Sequence, residues 1–170
     1  MNLNLGSGAD KLPGWTSVDM NPEYTPDVVH DLRETPLPFD DASADLVYME
    51  MALSQLYLSQ GIALLRDCFR LMRPGGTLRV NEFDFQLLLA TWETREPKWW
   101  DMTRAEKHFS HFHRYGWHML WDRETLTKHL ALAGFENIHE ETRTLSAIQA
   151  LKSLDKRRSG FCMEATKPIA

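Results

Sequence analysis

The 170-residue sequence has few cysteines, no long apolar stretch and fewer basic than acidic residues. Its two cysteines, Cys68 and Cys162, are too few for a disulfide framework and are typical of reduced, partly buried thiols in a cytoplasmic protein. Because no stretch is long enough to cross a bilayer and no leader peptide precedes the first strand, no membrane association is expected. The net charge of −5 disfavours nucleic acid as the main partner, since binding phosphates requires a basic surface.

Strand-like and helix-like segments alternate along the chain without internal repeats, which predicts a single α/β domain over residues 1–170 with a mostly parallel sheet. The last strand alternates in side-chain character, as expected of an antiparallel edge pair. The predicted strands are 2–5, 16–19, 27–31, 45–50, 77–81, 137–144 and 160–166. The predicted helices are 59–73 with Ile62, Leu65, Phe69 and Met72 facing the core, 85–96, 123–133 between the N-cap Asp122 and the C′ residue Gly134, and 147–154.

The opening residues, MNLNLGSGADKLPGWTSVDM, place a glycine loop from Gly6 to Gly8 between two strands, with Asp19 ending the second strand. Only ten residues separate Gly8 from Asp19, and Pro13 and Gly14 interrupt them. A dinucleotide fold starts a long helix at this loop and has its ribose-binding acid roughly 20 residues later. The spacing therefore disfavours a dinucleotide oxidoreductase. It suggests an adenosine-containing ligand without phosphate, S-adenosylmethionine, whose ribose hydroxyls would donate to Asp19.

Five segments carry a resemblance to a known family: LNLGSG, GWTSVDMNP, VVHDLRETPLPFDDASADLVYMEMAL, LLRDCFRLMRPGGTLRV and WDRETLTKHLALAGFENI. In combination they resemble the successive motifs of the class I S-adenosylmethionine-dependent methyltransferases. The resemblance implies a Rossmann-like, mostly parallel seven-stranded sheet with an antiparallel last strand. Helices after strands one and two are nearly absent from this chain, so a bare sheet face is expected there, which favours a homodimer.

The resemblance also implies a cofactor site at the start of the chain. Gly6 and Gly8 would line the methionine and ribose part of S-adenosylmethionine, and Asp19 would bind the ribose hydroxyls. Met20 would pack on the adenine. Asn4 also belongs to this site, and it stands where many family members have an acid that pairs with the amino group of the cofactor.

Later motifs would complete the cofactor site. Asp31 and Leu32 would lie at the adenine edge, and Met49 and Glu50 would face the sulfonium. The chain differs from many small-molecule methyltransferases just after this motif, where it has Gln55 in place of a histidine.

The expected chemistry is transfer of a methyl group to a small-molecule acceptor. Because the sulfonium is already activated, catalysis is mostly positioning, and a base is needed only if the acceptor must lose a proton. Ligands of such sheets lie beyond the carboxyl ends of the strands, which makes Glu82 and Asp84 candidates, with Glu50, for orienting the acceptor or taking its proton. The alternative is that they are solvated polar loop residues.

Residues 84–121 are predicted to cover the acceptor as a lid that is rich in aromatic residues and histidine. His111, His113 and Tyr115 are its catalytic candidates, because a histidine can serve as a base near neutral pH. The alternative is a scaffold of core aromatics and hydrogen-bonded histidines. A metal site at His108, His111 and His113 is a further alternative, but the spacing is not a well-attested ligand pattern and no metal is predicted.

Three functional hypotheses follow. The first is a soluble, cytoplasmic, S-adenosylmethionine-dependent methyltransferase that acts on a small molecule. The second is a methyltransferase-like partner subunit with weak or no activity, favoured by Asn4, Gln55 and the missing helices. The third is a non-methylating enzyme that uses the same cofactor pocket, which measured production of S-adenosylhomocysteine would distinguish from the first.

Overall fold

The computed structural model describes residues 1–84, 86–87, 106, 113, 116–152, 154–155 and 160–169. Within them the chain forms seven strands: β1 (Asn2–Leu5), β2 (Thr16–Asp19), β3 (Val28–Val29), β4 (Ala44–Glu50), β5 (Met72–Phe83), β6 (Glu136–Glu141) and β7 (Gly160–Thr166). They make one sheet in the order β3-β2-β1-β4-β5-β7-β6. The first five strands are parallel, and β7 runs antiparallel to both β5 and β6. The predicted fold class is confirmed.

Two α-helices, α1 (Leu58–Leu71) and α2 (Arg123–Ala133), pack against each other on one face of the sheet. The start of α2 agrees with the prediction, because the carboxylate of Asp122 accepts a hydrogen bond from Thr125 N at 2.8 Å. Gly134 ends α2 with a φ of 104°, a left-handed conformation that suits glycine. Three short 3-10 helices are also present: Pro22–Tyr24, Leu53–Gln55 and Gln149–Leu151.

The core-facing residues of α1 agree only in part with the predicted ones, of which Leu65 and Met72 are fully buried. Ile62 and Phe69 are only half-buried, whereas the apolar side of the helix that meets the core consists of Gly61, Leu64, Leu65, Cys68 and Leu71. Gly61 allows α1 to approach Trp121 closely, since a Cβ there would come within 2.8 Å of the Trp121 ring. The prediction counted large side chains and therefore overlooked the glycine.

Two predicted strands differ from the observed ones for local reasons. The third strand, predicted over 27–31, is only two residues long, because the Asp27 side chain accepts from Ser17 N at 2.8 Å and takes the place of a ladder bond there. The fifth strand, predicted over 77–81, begins at Met72 and runs to Phe83. The turn at Pro74–Gly76 therefore lies within β5. The pairing of β5 with β4 is irregular there, and Gly75 has a φ of 79°.

The segment after β6 also departs from prediction. The strand ends at Glu141 rather than at 144, and Thr144 has a φ of 66°, which is incompatible with an extended strand. The helix predicted over 147–154 is reduced to the 3-10 helix Gln149–Leu151. The helix predicted over 85–96 lies outside the described residues, apart from Gln86 and Leu87, which are helical.

The sheet has one apolar and one polar face. Leu3, Leu5, Val18, Val47 and Leu78 are fully buried on the face that α1 and α2 cover. Residues paired directly across neighbouring strands share a face, so the opposite face carries a buried polar row: Ser17, Asn4, Tyr48, Arg79 and Glu164. No helix occurs in residues 6–15, and only Pro22–Tyr24 lies between β2 and β3, as the sequence predicted.

An ion-pair cluster holds the segment after β6 against this polar face. Arg79, which has no exposed surface, donates to Asp155 through Nε at 3.1 Å and through Nη2, and to Glu164 through Nη1. The Asp155 carboxylate also accepts from Thr144 N at 2.9 Å. Residues 142–152, 154 and 155 therefore cover part of the polar face, on which neither α1 nor α2 lies.

Asp155→Ala should lower the free energy of unfolding by about 3–5 kcal/mol, because it leaves the Arg79 charge buried with one of its partners removed. Asp41→Ala is the matched control: Asp41 also pairs with an arginine, but 77% of its side chain is exposed, so about 1 kcal/mol or less is expected. Urea unfolding of both variants measures the difference. Equal losses would show that the buried cluster does not hold the segment.

Candidate functional site

A pocket of about 620 Å³ lies at the carboxyl ends of β1, β2 and β4. Its walls come from the glycine loop after β1, the residues that follow β2 and β3, the loop after β4, and one residue of the segment that covers the polar face. The lining residues are Asn4, Gly6, Ser7, Gly8, Ala9, Asp10, Leu12, Asp19, Met20, Asn21, Tyr24, Asp31, Leu32, Arg33, Tyr48, Glu50, Met51, Ala52, Gln55, Leu56 and Leu154.

The glycine loop is shaped by two left-handed glycines, Gly6 with a φ of 68° and Gly8 with a φ of 53°. Gly6 N and Ser7 N both donate to Val18 O, at 2.8 and 3.1 Å, so the loop lies across the end of β2. A Cβ on Gly6 would lie only 2.9 Å from the Cβ of Ala52. Glycine at position 6 therefore lets the loops after β1 and β4 meet and form one continuous wall.

The Asp19 carboxylate joins the glycine loop to the residues that follow β2. Oδ2 accepts from Gly8 N at 2.8 Å, and Oδ1 accepts from Asn21 N at 2.9 Å. Each carboxylate oxygen has a second acceptor position, so Asp19 can still accept from two hydroxyl groups of a ligand. These contacts hold the carboxylate in the wall of the pocket.

Asp31 lies in the same wall and is paired with Arg33. Arg33 donates to Asp31 Oδ1 from its backbone N and from Nε, both at 2.9 Å, and to Oδ2 from Nη2 at 2.5 Å. The hydrogen bond from the guanidinium holds the pKa of Asp31 below its ordinary value, against the opposing effect of burial. Arg33 Nη2 also lies 4.0 Å from Met20 Sδ, so Met20, Asp31 and Arg33 form one end of the pocket.

The loop after β4 is fixed by contacts with the end of β5. Met51, which has a φ of 57°, donates from its backbone N to Asn81 O at 2.8 Å. Leu53 N donates to Glu82 Oε1 at 2.7 Å, and Glu82 has no exposed surface. Burial raises the pKa of Glu82 to about 7. Glu82 therefore holds this loop in place and does not itself line the pocket.

The predicted cofactor residues come together with one exception. Those that line the pocket are Asn4, Gly6, Gly8, Asp19, Met20, Asp31, Leu32 and Glu50. Met49 is fully buried in the apolar core instead. Successive strand residues face opposite sides of a sheet, and its neighbours Tyr48 and Glu50 take the pocket side.

The predicted catalytic residues are more scattered. Asp84 is outside the pocket lining, and its carboxylate pairs with Arg123 at 2.8 Å, at the start of α2. His113 is exposed and is also outside the lining. His111 and Tyr115 lie outside the described residues, as does much of the predicted lid over 84–121.

Sequence reasoning missed several lining residues, of which Asp10, Arg33, Tyr48 and Leu154 matter most for the chemistry of the walls. Asp10 and Arg33 lie within two residues of predicted site residues, and alternation from Glu50 would have found Tyr48. No local sequence pattern marks Leu154 as a lining residue, because the ion pairs of its neighbour, Asp155, bring it to the pocket.

One group of side chains in the described part of the chain has the geometry of a metal site. His139, Glu141 and Glu164 bring their ligand atoms within 4.8 Å of one another across β6 and β7. Arg79 already donates to Glu164, which weakens the carboxylate as a metal ligand. Of the histidines considered as a metal site from the sequence, only His113 is among the described residues.

Comparison with known proteins agrees with this geometry. Residues 15–80 match the family model of the methyltransferase domain. None of the curated proteins compared with the chain matches it. Among the described residues, no helix has both the length and the apolar character needed to span a bilayer.

Many solved structures share the fold at low sequence identity. An Archaeoglobus fulgidus SAM-dependent methyltransferase has a TM-score of 0.66 at 15% identity, with 98% of this chain and 85% of the other covered. A Thermotoga maritima SAM-dependent methyltransferase, named as a possible histamine N-methyltransferase, has a TM-score of 0.63 at 15% identity over 98% and 81%. The Haemonchus contortus phosphoethanolamine N-methyltransferase 2, solved with S-adenosyl-L-methionine, has a TM-score of 0.65 at 14% identity over 98% and 48%.

The family match and the fold together confirm the resemblance to class I methyltransferases, and they indicate S-adenosylmethionine as the cofactor. The pocket has the chemistry that such a group requires. Asp19 can accept from two hydroxyls, and Gly6 and Gly8 have no side chains that would hinder the approach of a ligand to the backbone. No Cβ at Gly8 would meet another atom within 4 Å, so the loop leaves open space there.

The buried carboxyl of Glu82 predicts a specific dependence of stability on pH. Its folded pKa lies above the unfolded value of 4.5, so the folded state loses stability as pH rises from about 4.5 to about 7. The glutamine side chain in Glu82→Gln cannot ionise. Relative to the wild type, the free energy of unfolding of the variant should therefore rise by roughly 3 kcal/mol or less as the pH increases over this range.

Urea unfolding at pH 4.5, 6 and 8 measures this shift. Glu136→Gln is the control, because Glu136 is an exposed carboxyl on β6. It should follow the wild type at every pH. If Glu82→Gln also runs parallel to the wild type, Glu82 does not titrate in this range.

Proposed function

We propose that the protein transfers the methyl group of S-adenosylmethionine to a small-molecule acceptor in the cytoplasm. The observation that carries the proposal is the position of the Asp19 carboxylate, which lies in the pocket wall next to a loop whose two glycines, Gly6 and Gly8, have no side chains. A carboxylate at the end of the second strand, with acceptor positions left for two hydroxyls, suits an adenosine ribose. The absence of a helix after β1 argues against a ligand held by a diphosphate.

Each wall of the pocket has a role in this proposal. Asp19 binds the ribose hydroxyls, while Asp31 accepts from the amino group of the adenine and Leu32 and Met20 pack against the ring. Gly6 and Gly8 allow the ligand to approach the backbone. Glu50, at the carboxyl end of β4, faces the sulfonium and offers it a negative charge.

S-adenosylmethionine, when bound, supplies a methyl group on a positively charged sulfur, which is already an activated donor. The protein then has to orient the acceptor in line with the bond that breaks and to exclude water. The contacts among Gly6, Ala52, Leu53 and Glu82 serve this orientation, because they fix the loop after β4 against the glycine loop. A proton acceptor is needed only if the methylated atom carries a proton.

In this proposal the chain is a single domain, and residues 84–121 are a lid that covers the acceptor. Its histidines and tyrosine, His111, His113 and Tyr115, are the candidates for taking a proton from the acceptor. Asp84 would act on this region indirectly, because its carboxylate is paired with Arg123. The small-molecule class is supported by the Haemonchus protein of the same fold, a phosphoethanolamine N-methyltransferase.

A second candidate function is that of a partner subunit with little activity of its own. Asn4 favours it, because a neutral amide replaces an acid, and so does the sheet face, since no α-helix lies between β1 and β3. A protein of the same fold, named as a putative methyltransferase, has been solved in complex with the Haloferax volcanii Trm112 methyltransferase activator; 98% of this chain and 81% of the other are covered, at 17% identity and a TM-score of 0.59. A homodimer would cover the same face.

Asp19→Ala should weaken the binding of S-adenosylhomocysteine by at least about 100-fold, because two hydrogen bonds from ribose to a charged group are lost. Calorimetric titration of wild type and variant measures the change. Asp40→Ala is the control, since Asp40 is an exposed acid that does not line the pocket. Thermal melting should show both variants folded.

The wild type should bind S-adenosylmethionine and S-adenosylhomocysteine but not NAD. Unchanged affinity in the folded Asp19→Ala variant would remove Asp19 from the site. If the wild type binds neither adenosyl ligand, the methyltransferase proposal is wrong and the partner-subunit reading is favoured.

A further inference from the structure

One histidine and two glutamates lie close together on the edge strand β6 and its neighbour β7. His139 pairs directly with Glu164 across the two strands, and Glu141 lies two residues further along β6. Because alternate residues of a strand share a face, all three side chains lie on the polar face of the sheet, with Arg79. One ligand atom from each of the three lies within 4.8 Å of the others.

We propose that His139, Glu141 and Glu164 bind one zinc ion, which links the edge strand β6 to β7. One imidazole nitrogen with carboxylate oxygens is a donor set that suits zinc, whereas magnesium and calcium prefer oxygen ligands alone. Three protein ligands leave a fourth coordination position for water. The site goes beyond the proposed function, because none of its residues lines the cofactor pocket.

The orientation of the His139 ring carries the proposal. Nδ1 lies 2.8 Å from Asn137 O, and a carbonyl oxygen can only accept, so Nδ1 is the ring nitrogen that bears the hydrogen. In the neutral ring Nε2 then has the lone pair that a metal ion requires. Histidines that bind metals almost always donate from their other nitrogen in this way, which fixes the tautomer and the direction of the ring.

A bulge in β6 places the Asn137 carbonyl beside this ring. The pairing of β6 with β7 is irregular between Glu136 and His139, and Asn137 has a φ of 51°. Asn137 Nδ2 donates to Thr166 Oγ1 at 2.9 Å, and Thr166 Oγ1 donates to Glu136 O at 3.2 Å. These contacts anchor the bulge to β7. Because bulges re-aim side chains, the anchored bulge explains how His139 is held next to Glu164.

The charges around Glu164 also favour a cation. The side chains of Arg79 and Asp155 have no exposed surface, and that of Glu164 is 5% exposed. Two buried carboxylates thus share the single charge of Arg79, which leaves one negative charge to be compensated. Arg143 adds a positive charge at the Asp155 carbonyl, and Glu141 adds a negative charge beside Glu164, so the balance remains at −1.

The side chains can close around an ion without disturbing the buried pair. Three nitrogen or oxygen ligands at zinc bond lengths are roughly 3.4 Å apart, somewhat closer than the present limit. His139 is exposed and Glu141 is half-buried, so both can rotate toward the ion. Arg79 holds Glu164 in place by donating to Oε1, which leaves Oε2 as the oxygen that binds the metal.

Calorimetric titration of the full chain with ZnCl₂ at about pH 7.5, where histidine is neutral, should show a zinc ion bound per chain. His139→Ala and Glu141→Gln should each raise the zinc Kd at least about tenfold, because each removes one of three ligands. MgCl₂ at the same concentration should not displace the zinc, since magnesium does not favour imidazole. Glu164 is left unchanged, because its removal would also break an ion pair of Arg79.

Glu136→Gln and His30→Ala are the matched controls. Glu136 is an exposed carboxyl on β6, and His30 follows β3, at the opposite edge of the sheet. Both variants should bind zinc within about twofold of the wild type, because neither residue touches the site. Thermal melting without zinc should show all variants folded. Added zinc should raise the melting temperature of the wild type and the controls more than that of His139→Ala and Glu141→Gln.

A loss of zinc affinity in both His139→Ala and Glu141→Gln, with the controls unchanged, supports the proposal. A loss in only one of them, or a wild type that binds no zinc at micromolar concentration, overturns it. Equal binding of zinc and magnesium also overturns it, because an acidic surface would then attract any divalent cation. If His111→Ala removes zinc binding and His139→Ala does not, the histidines of residues 108–113 bind the ion and the proposal is wrong.

Discussion

The hydrogen bond between the Asp19 carboxylate and the Gly8 amide is the contact on which the pocket depends. Only ten residues join the glycine loop to Asp19, and none of residues 6–15 forms a helix that could hold the loop from behind. Asp19 supplies that support from the side, at 2.8 Å, and accepts from Asn21 with its other oxygen. The same carboxylate thus shapes the loop and presents acceptor positions to a ligand, so the pocket keeps its shape without an α-helix behind the loop.

The missing helices have a second consequence, on the polar face of the sheet. A buried arginine, Arg79, is stable there because Asp155 and Glu164 both accept from it. The ion pair holds the described residues between β6 and Asp155 over the face, and Leu154 reaches the pocket wall from this segment. The ion pairs of Arg79 therefore serve two purposes: they keep this segment over the polar face of the sheet, and they place Leu154 in the pocket wall.

Much of the fold could be predicted from local patterns. The bounds of β1, β2, β7 and α2 agree with prediction, because glycine, the Asp122 cap and alternating side chains mark them in the sequence. The pocket residues that follow strand ends were predicted from the family motifs. Two features could not be predicted, because they depend on contacts between residues distant in sequence. They are the burial of Glu82 and the ion pairs that bring Leu154 to the pocket. Met49 was misplaced because the motif gives its position but not the face of the strand.

The most direct test of the central claim is an NMR titration of ¹⁵N-labelled protein that follows the backbone amides of Gly8 and Asn21. Both donate to Asp19, so a ligand that hydrogen-bonds to this carboxylate must change their surroundings. The account predicts that S-adenosylhomocysteine shifts both amide signals in a saturable manner and that NAD does not. Signals that stay unchanged at saturating S-adenosylhomocysteine, or that respond equally to NAD, would contradict it.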